Sequence, residues 1–189
     1  MSCVNLDSVS LVEGLYELVP LRYEDIFQVA DWRNAQMEVL RQKEVLTKEM
    51  QEQYYEDVVL PSLERDRPSL VLFSFLCEGQ CIGYGGLVYI DWDAMRSEVS
   101  FLVAPQRAKE PSVYGSDFSN YLKLIKRYAF TELGLNRLFT ETFSFRKEHI
   151  VILEQEGFLK EGCLRQHVSV RGSLEDSLMH GILKEDYEA

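Results

Sequence analysis

The segment HIVILEQEGFLKEGCLRQH, residues 149–167, opens with the spacing of a helix and closes with the composition of a strand. The two halves meet at Glu156-Gly157-Phe158, and Glu161-Gly162 follows at once. A glycine just past the last helical residue adopts the left-handed backbone that ends a helix, at little steric cost. The spacing therefore predicts a helix over 147–156 stopped by Gly157. Phe158 is predicted to drop into a core and lock that helix against a sheet. Glu161-Gly162 is predicted to start the next strand.

Working outward, the most regular helical pattern lies upstream. Phe118, Tyr121, Leu122, Ile125, Ala129 and Leu133 keep three- and four-residue spacing. Ser116 is a good N-cap and Gly134 a good stop, which predicts a helix over 116–133. RLFTETF (137–143) reads as the strand that follows, and SEVSFLVA (97–104) as the strand that precedes. Between SEVSFLVA and the helix, PQRAKEPSVYGSDF (105–118) has the composition of a loop. Downstream, GCLRQHVSV and DSLMHGILK read as two strands joined at Arg171-Gly172. Towards the N-terminus, SLVLFSFLCEGQCIGYGGLVYIDW is a hairpin turning at Glu78-Gly79. Gly83, Gly85 and Gly86 in its second arm predict a bulge, or a place where something approaches the backbone closely. LYELVPL (15–21) is a first strand, and RYEDIFQVADWRNA a helix with Ile26, Val29, Ala30 and Trp32 on one side. A second helix is predicted to start at Thr47 and stop at Pro61.

The order is β-α-α-β-β-β-α-β-α-β-β. It predicts one α+β domain over 1–189, with its core in about 15–186. The sheet is mostly antiparallel with about seven strands, about four helices and a central right-handed βαβ crossover.

Composition excludes several classes of function. Of the 189 residues, 46% are apolar, with ten Phe and ten Tyr, enough for a real core. No apolar run is long enough to span a membrane, and the start of the chain lacks the pattern of a signal peptide, so a cytoplasmic location is expected. A net charge of −11 disfavours nucleic acid. The same charge would steer a cationic amine inward, or it serves solubility alone. Of the four cysteines, Cys77 and Cys81 form a C-x3-C, which fits neither a zinc ribbon nor a thioredoxin-type pair. They are read as small core residues near each other across the hairpin, and no metal is expected.

The chain resembles the GNAT superfamily of acyl-CoA-dependent N-acyltransferases. The likeness rests on ADWRN, IGYGGLVYID, RSEVSFLVAP, YLKLIKRYAFTELGLNRLFTE, HIVILEQEGFLKEGCLRQHV and SLEDSLMHGILKED, in this order over most of the chain. The nearest branch is similar to ribosomal-protein N-terminal acetyltransferases and amino-sugar N-acetyltransferases. The resemblance implies acetyl-CoA as co-substrate, held where strands 97–104 and 137–143 splay apart. Phe101, Leu102 and Val103 would line the pantetheine, and Arg107, Lys109, Gly115 and Ser116 the pyrophosphate. An anion at a helix N-terminus has its own physical warrant in free N–H groups and the helix dipole. Asp117 stands where that anion would bind and would otherwise cap the helix.

Glu98 matches the family's carboxylate and is the candidate base. Alternation puts it with Ser100 and Leu102 on the face opposite Val99, Phe101 and Val103. It either accepts the amine's proton through water or pairs in a salt bridge on the strand face. Many relatives place a catalytic tyrosine where this chain has Leu153, and an asparagine just before that helix, near the place where Arg146 or His149 stands here. His149 nearby either donates to a thiolate or is simply exposed, so no acid is assigned. Trp32, Arg33, Asn34 and His180 are the expected acceptor contacts, with Trp32 alternatively in the core. The acceptor expected is a small-molecule amine or amino sugar, or else a protein N-terminus, and the protein is expected to be a monomer or homodimer. The other class of function is a binding protein that kept the fold and lost the CoA chemistry, because PQRAKEPSVYGSDF has one glycine where relatives have a glycine-rich loop.

Overall fold

The computed structural model describes residues 10–188. In chain order its elements are β1 (Leu11–Glu13), β2 (Tyr16–Pro20), α1 (Ile26–Asn34), α2 (Lys48–Tyr54), α3 (Leu60–Leu63), β3 (Val71–Cys77), β4 (Gln80–Asp91) and β5 (Arg96–Val103). They continue with α4 (Pro105–Ala108), α5 (Pro111–Arg127), β6 (Arg137–Phe143), α6 (Lys147–Gln155), β7 (Leu159–Val170), β8 (Ser173–Leu183) and α7 (Lys184–Glu188). The strands form one sheet in the order β1-β2-β3-β4-β5-β6-β8-β7. Every described neighbouring pair is antiparallel except β5 and β6, which are joined through α4 and α5.

The α+β architecture agrees with the expected order, with eight strands rather than about seven. The additional one, β1, is three residues long and folds back on β2 through Gly14, at φ 57°. A strand that short carries too few alternations to register as a period. Helices cover both faces. On one face α5 and α6 bury Phe118, Tyr121, Ile125 and Leu153 against Phe73, Phe75 and Val103. On the other, α1 sets Ile26, Val29 and Trp32 against Leu72, Tyr84 and Leu102.

The long helix begins five residues earlier than its pattern suggests. PQRAKEPSVYGSDF is not a loop but α4 and the first turns of α5. Both prolines occupy first-turn positions, where a missing N–H costs nothing and the fixed φ already suits a helix. Gly115 lies inside α5, and Ser116 is no N-cap; the cap position belongs to Glu110.

The segment 149–167 behaves as its sequence indicates at the helix stop. Gly157 sits at φ 92°, and the Phe158 amide donates to the Leu153 carbonyl at 3.0 Å. Phe158 is fully buried. The Lys126 ammonium donates to the Glu156 carbonyl at 2.6 Å, a cation on the negative end of α6. Glu161-Gly162 differs from expectation: β7 already runs from Leu159, and the pair forms a bulge within it.

The glycines of β4 mark a close approach. A Cβ on Gly85 would lie 2.2 Å from the Ser100 carbonyl and 2.5 Å from the Tyr121 hydroxyl. That hydroxyl donates to the Ser100 carbonyl at 2.6 Å, so the glycine admits a helix side chain into the sheet. Cys77 and Cys81 flank the β3–β4 turn as free thiols, half-buried, with Leu76 rather than Cys77 opposite Cys81. Burial pushes the Cys81 thiol up to about 12, so it is a protonated packing group. Cys3 lies outside the described residues.

Candidate active site

Parallel pairing of β5 with β6 runs through Arg96–Arg137, Ser97–Leu138 and Glu98–Phe139, then ends. Both strands continue, β5 to Val103 and β6 to Phe143, without pairing to each other. A cavity of about 460 Å³ occupies the gap. Arg33, Arg41, Tyr54, Tyr84, Glu98 and Glu141 line it from the α1 face, and Phe118, Arg146 and His149 from the α5–α6 face. A second cavity, about 380 Å³, follows the free half of β5 along Phe101, Leu102 and Val103 to Tyr114. Phe101, Arg146 and His149 border both.

Strand alternation holds as expected: Leu102 packs on the α1 face, Val99 and Val103 on the other. Glu98 is 6% exposed and ion-paired with Arg41. The same guanidinium lies 3.5 Å from Glu141, whose other oxygen is 3.7 Å from His167. Burial pushes the Glu98 carboxyl above the usual range; Arg41 pulls it back and Glu141 adds to the rise. Glu98 thus has both features weighed for it, a salt bridge and a place in a cavity. Neither Arg41 nor Glu141 carries a sequence signal, since their meeting depends on a loop crossing the sheet.

On the far side of the gap a second polar cluster is assembled. The Tyr114 hydroxyl is 2.6 Å from His149 Nδ1, and an Arg146 N–H donates to the Tyr114 oxygen at 3.1 Å. Arg146 also approaches His149 Nδ1 to 3.3 Å. Arginine can only donate, so Nδ1 is assigned as the acceptor and Tyr114 as its donor. Burial, then the charges of Arg146 and His180, hold His149 well below the usual histidine range, so the ring is neutral. It stacks on Phe118 at 4.1 Å and 17°. His149 is therefore buried rather than exposed. Tyr114 escapes the sequence reading because the pattern starts the helix at Ser116; one turn earlier, it extends the apolar face four residues before Phe118. Leu153 is fully buried in the core and offers no acid.

ADWRN divides its labour. Trp32 is 7% exposed within the α1 cluster, so it belongs to the core and not to an acceptor contact. Asn34 is spent on the following loop: its amide donates to the Leu46 carbonyl at 2.9 Å, and its oxygen accepts from the Leu46 amide at 2.8 Å and from Gln42 at 2.9 Å. Arg33 alone of the three lines the cavity. His180 is displaced from its expected place. It pairs across from Thr140 on β6, sharing a face with Leu138 and Ile182, opposite to that of Glu98. It is fully buried, with Nε2 3.6 Å from Glu154.

The expected phosphate end is altered as well. Arg107 forms a two-pronged ion pair with Asp117, at 2.6 Å and 2.7 Å. Asp117 is fully buried and accepts from the Tyr16 hydroxyl at 3.0 Å. It is a structural anion inside α5, not a cap. With the start of α5 at Pro111, the positive end of the helix lies roughly 7.5 Å from where a start at Ser116 would put it. Ser116 bonds the Tyr16 hydroxyl at 3.0 Å, while Lys109 is exposed. The Val103 carbonyl accepts from Gln36 at 2.9 Å. Among the described residues no cluster of metal-ligating side chains occurs, and no helix is long and apolar enough to cross a membrane.

Residues 18–179 match the family model of the acetyltransferase (GNAT) domain. The chain is 32% identical over 65 residues to the SPbeta prophage-derived N-acetyltransferase YokL of Bacillus subtilis, covering 34% of this chain and 37% of that protein. It is 28% identical over 136 residues to the "Putative ribosomal N-acetyltransferase YdaF" of Bacillus subtilis, covering 71% and 72%. The aligned part thus spans little more than a third of the first relative's length and under three quarters of the second's. In structure it is similar to the spermidine N-acetyltransferase of Vibrio cholerae in complex with CoA and spermine, with a TM-score of 0.80, 18% identity, and 94% and 100% of the two chains covered. The fold, the splayed strand pair and the match over 18–179 agree, and the chain belongs to the GNAT family of acetyltransferases, enzymes that take their acetyl group from acetyl-CoA.

Proposed function

We propose that this chain transfers the acetyl group of acetyl-CoA to a primary amine of a small molecule, in the gap between β5 and β6. The observation that carries this is the end of strand pairing at Glu98–Phe139, with a cavity open to both faces just beyond it. Acetyl-CoA supplies the thioester, and the groove along Phe101, Leu102 and Val103 suits its pantetheine arm: largely apolar and bordered by a strand edge released from pairing. Its phosphate end falls to Lys109, because Arg107 is committed to Asp117.

Glu98 receives the ammonium proton, directly or through water. Its raised pKa brings its affinity for a proton closer to that of an amine than an exposed glutamate would. Across the gap, the Arg146 guanidinium is the group able to bring positive charge to the departing sulfur. The Tyr114 hydroxyl can give that sulfur a proton only by turning from His149 Nδ1, which Arg146 then still serves as donor. Neutral His149 orients the Tyr114 hydroxyl without competing for the charge.

The likeness to YdaF favours a second acceptor class, the α-amino group of a protein. Release of CoA thiol from acetyl-CoA, measured with small amines and with N-terminal peptides in parallel, separates the two. Melting the chain with and without acetyl-CoA tests the shared premise. A ligand at 100 times its Kd adds about 2.7 kcal/mol, and an unchanged melting temperature at millimolar acetyl-CoA would remove the acetyl-transfer reading.

A further inference from the structure

The cavity's charge is opposite in sense to that of the chain. Three arginines, Arg33, Arg41 and Arg146, face two carboxylates, Glu98 and Glu141, in a protein of net charge −11. Both carboxylates are taken by Arg41. Arg33 pairs with no carboxylate among the described residues. Its Nε donates to Gln42 Oε1 at 3.0 Å, and its side chain also hydrogen-bonds the Tyr84 hydroxyl. Gln42 is in turn anchored to Asn34 and to the Glu44 carbonyl, each at 2.9 Å. The guanidinium is thus aimed by a fixed amide on one side and the Tyr84 hydroxyl on the other, while no carboxylate among the described residues neutralises it. Tyr54 and Tyr84 line the same wall, and the Arg33 charge acts on both phenols. An aimed arginine without a carboxylate partner, beside phenol donors, is suited to a planar or tetrahedral anion.

We infer that the acceptor is a primary amine that also carries an anionic group, a phosphate or a carboxylate, bound by Arg33. This rests on the acetyl-transfer reading. The ammonium lies towards Glu98 and Glu141, where it takes over the place of Arg41, and the anion lies towards Arg33, Tyr54 and Tyr84. A polyamine meets an uncompensated arginine in this cavity, so a polycation is disfavoured despite the acidic surface.

The test measures CoA thiol release from acetyl-CoA with matched amines: glucosamine against glucosamine 6-phosphate, tyramine against tyrosine, and spermidine alone. The anion-bearing member of a pair is expected to have a kcat/KM at least tenfold higher, and the two pairs separate phosphate from carboxylate. Arg33→Gln should abolish the difference and Arg33→Lys retain part of it, while both keep the wild-type melting shift with acetyl-CoA. Equal use of both members, preference for spermidine, or a preference that survives Arg33→Gln overturns the inference. If no amine is turned over, melting with each amine decides: a shift specific to an anionic member and lost in Arg33→Gln supports it, and the absence of one overturns it. Failure of the acetyl-CoA shift itself would instead sink the parent reading.

Discussion

Arg41 ion-pairs with the buried carboxylate of Glu98, and the same guanidinium reaches Glu141 at 3.5 Å. The acceptor side of the cavity thus carries its own internal cation, which partly offsets the rise that burial imposes on the proposed base. Glu98→Gln is expected to lower turnover by about 10²-fold or more with the acetyl-CoA melting shift intact. Activity should rise with pH as Glu98 loses its proton, with a midpoint above the ordinary glutamate value of about 4.3. Arg41 favours the charged form, so Arg41→Gln should move the midpoint to higher pH. A pH–rate profile of kcat/KM checks both; a midpoint that moves down in Arg41→Gln contradicts the assignment.

His149 and His180 are held below the ordinary histidine range, chiefly by burial. The unfolded chain binds protons at these rings near pH 6.5, where the folded chain does not. Stability is therefore full above that pH and is lost as pH falls through it towards the folded values. Urea midpoints at pH 7.5 and 5.5 should show the loss, and His149→Gln should reduce its size. A wild-type midpoint that stays level across this interval would count against neutral buried rings.

Removing the Tyr114 hydroxyl leaves His149 Nδ1 with Arg146 as its only donor among the described residues. Tyr114→Phe should cost about 1 kcal/mol of stability, a typical net hydrogen bond. If Tyr114 serves the departing sulfur, kcat should fall by more than the stability loss explains, while binding of acetyl-CoA is retained. Turnover equal to wild type would reduce Tyr114 to a packing role.

The Arg107–Asp117 pair and Lys109 predict different outcomes. Arg107→Gln strands a fully buried carboxylate and should cost about 2 kcal/mol, with weaker acetyl-CoA binding following from the loosened helix start. Lys109→Gln should leave the melting temperature unchanged and weaken acetyl-CoA binding several-fold, an effect that shrinks as salt rises. Calorimetric titration at two salt concentrations reads this directly.

Gly157 at φ 92° would also place a Cβ 3.3 Å from Ile182 Cδ1. Gly157→Ala should cost about 1 kcal/mol or more, lowering Tm by roughly 2–4 °C per kcal/mol in a chain of this size. A variant as stable as wild type would mean that the helix stop relaxes freely.

Elements set by local chemistry were legible from the residues. The stop at Gly157, the anchor at Phe158, the β3–β4 hairpin and the face alternation of β5 depend on neighbours a few positions apart. The start of α5 is not legible in this way, because prolines and a glycine mark loops and first helical turns equally. Only burial of Tyr114 and Asp117 against the sheet selects the helix. The spacing of Trp32 fits core and cleft alike, and packing against Leu72 and Leu102 places it in the core.

The sequence by itself determined the order of elements, the family, the glycine stop of α6 and the side of the sheet on which Glu98 lies, because each follows from backbone period and turn chemistry. The tertiary structure decided what surrounds that glutamate. Arg41, Glu141 and Arg33 come from three separate segments, and their charges meet because a loop held by Asn34 and Gln42 crosses the splay of β5 and β6. The same long-range packing removed His180 from the acceptor side and committed Arg107 to Asp117. Ion pairs and cavities between segments distant in sequence are set by the folded arrangement, and no periodicity along the chain records them.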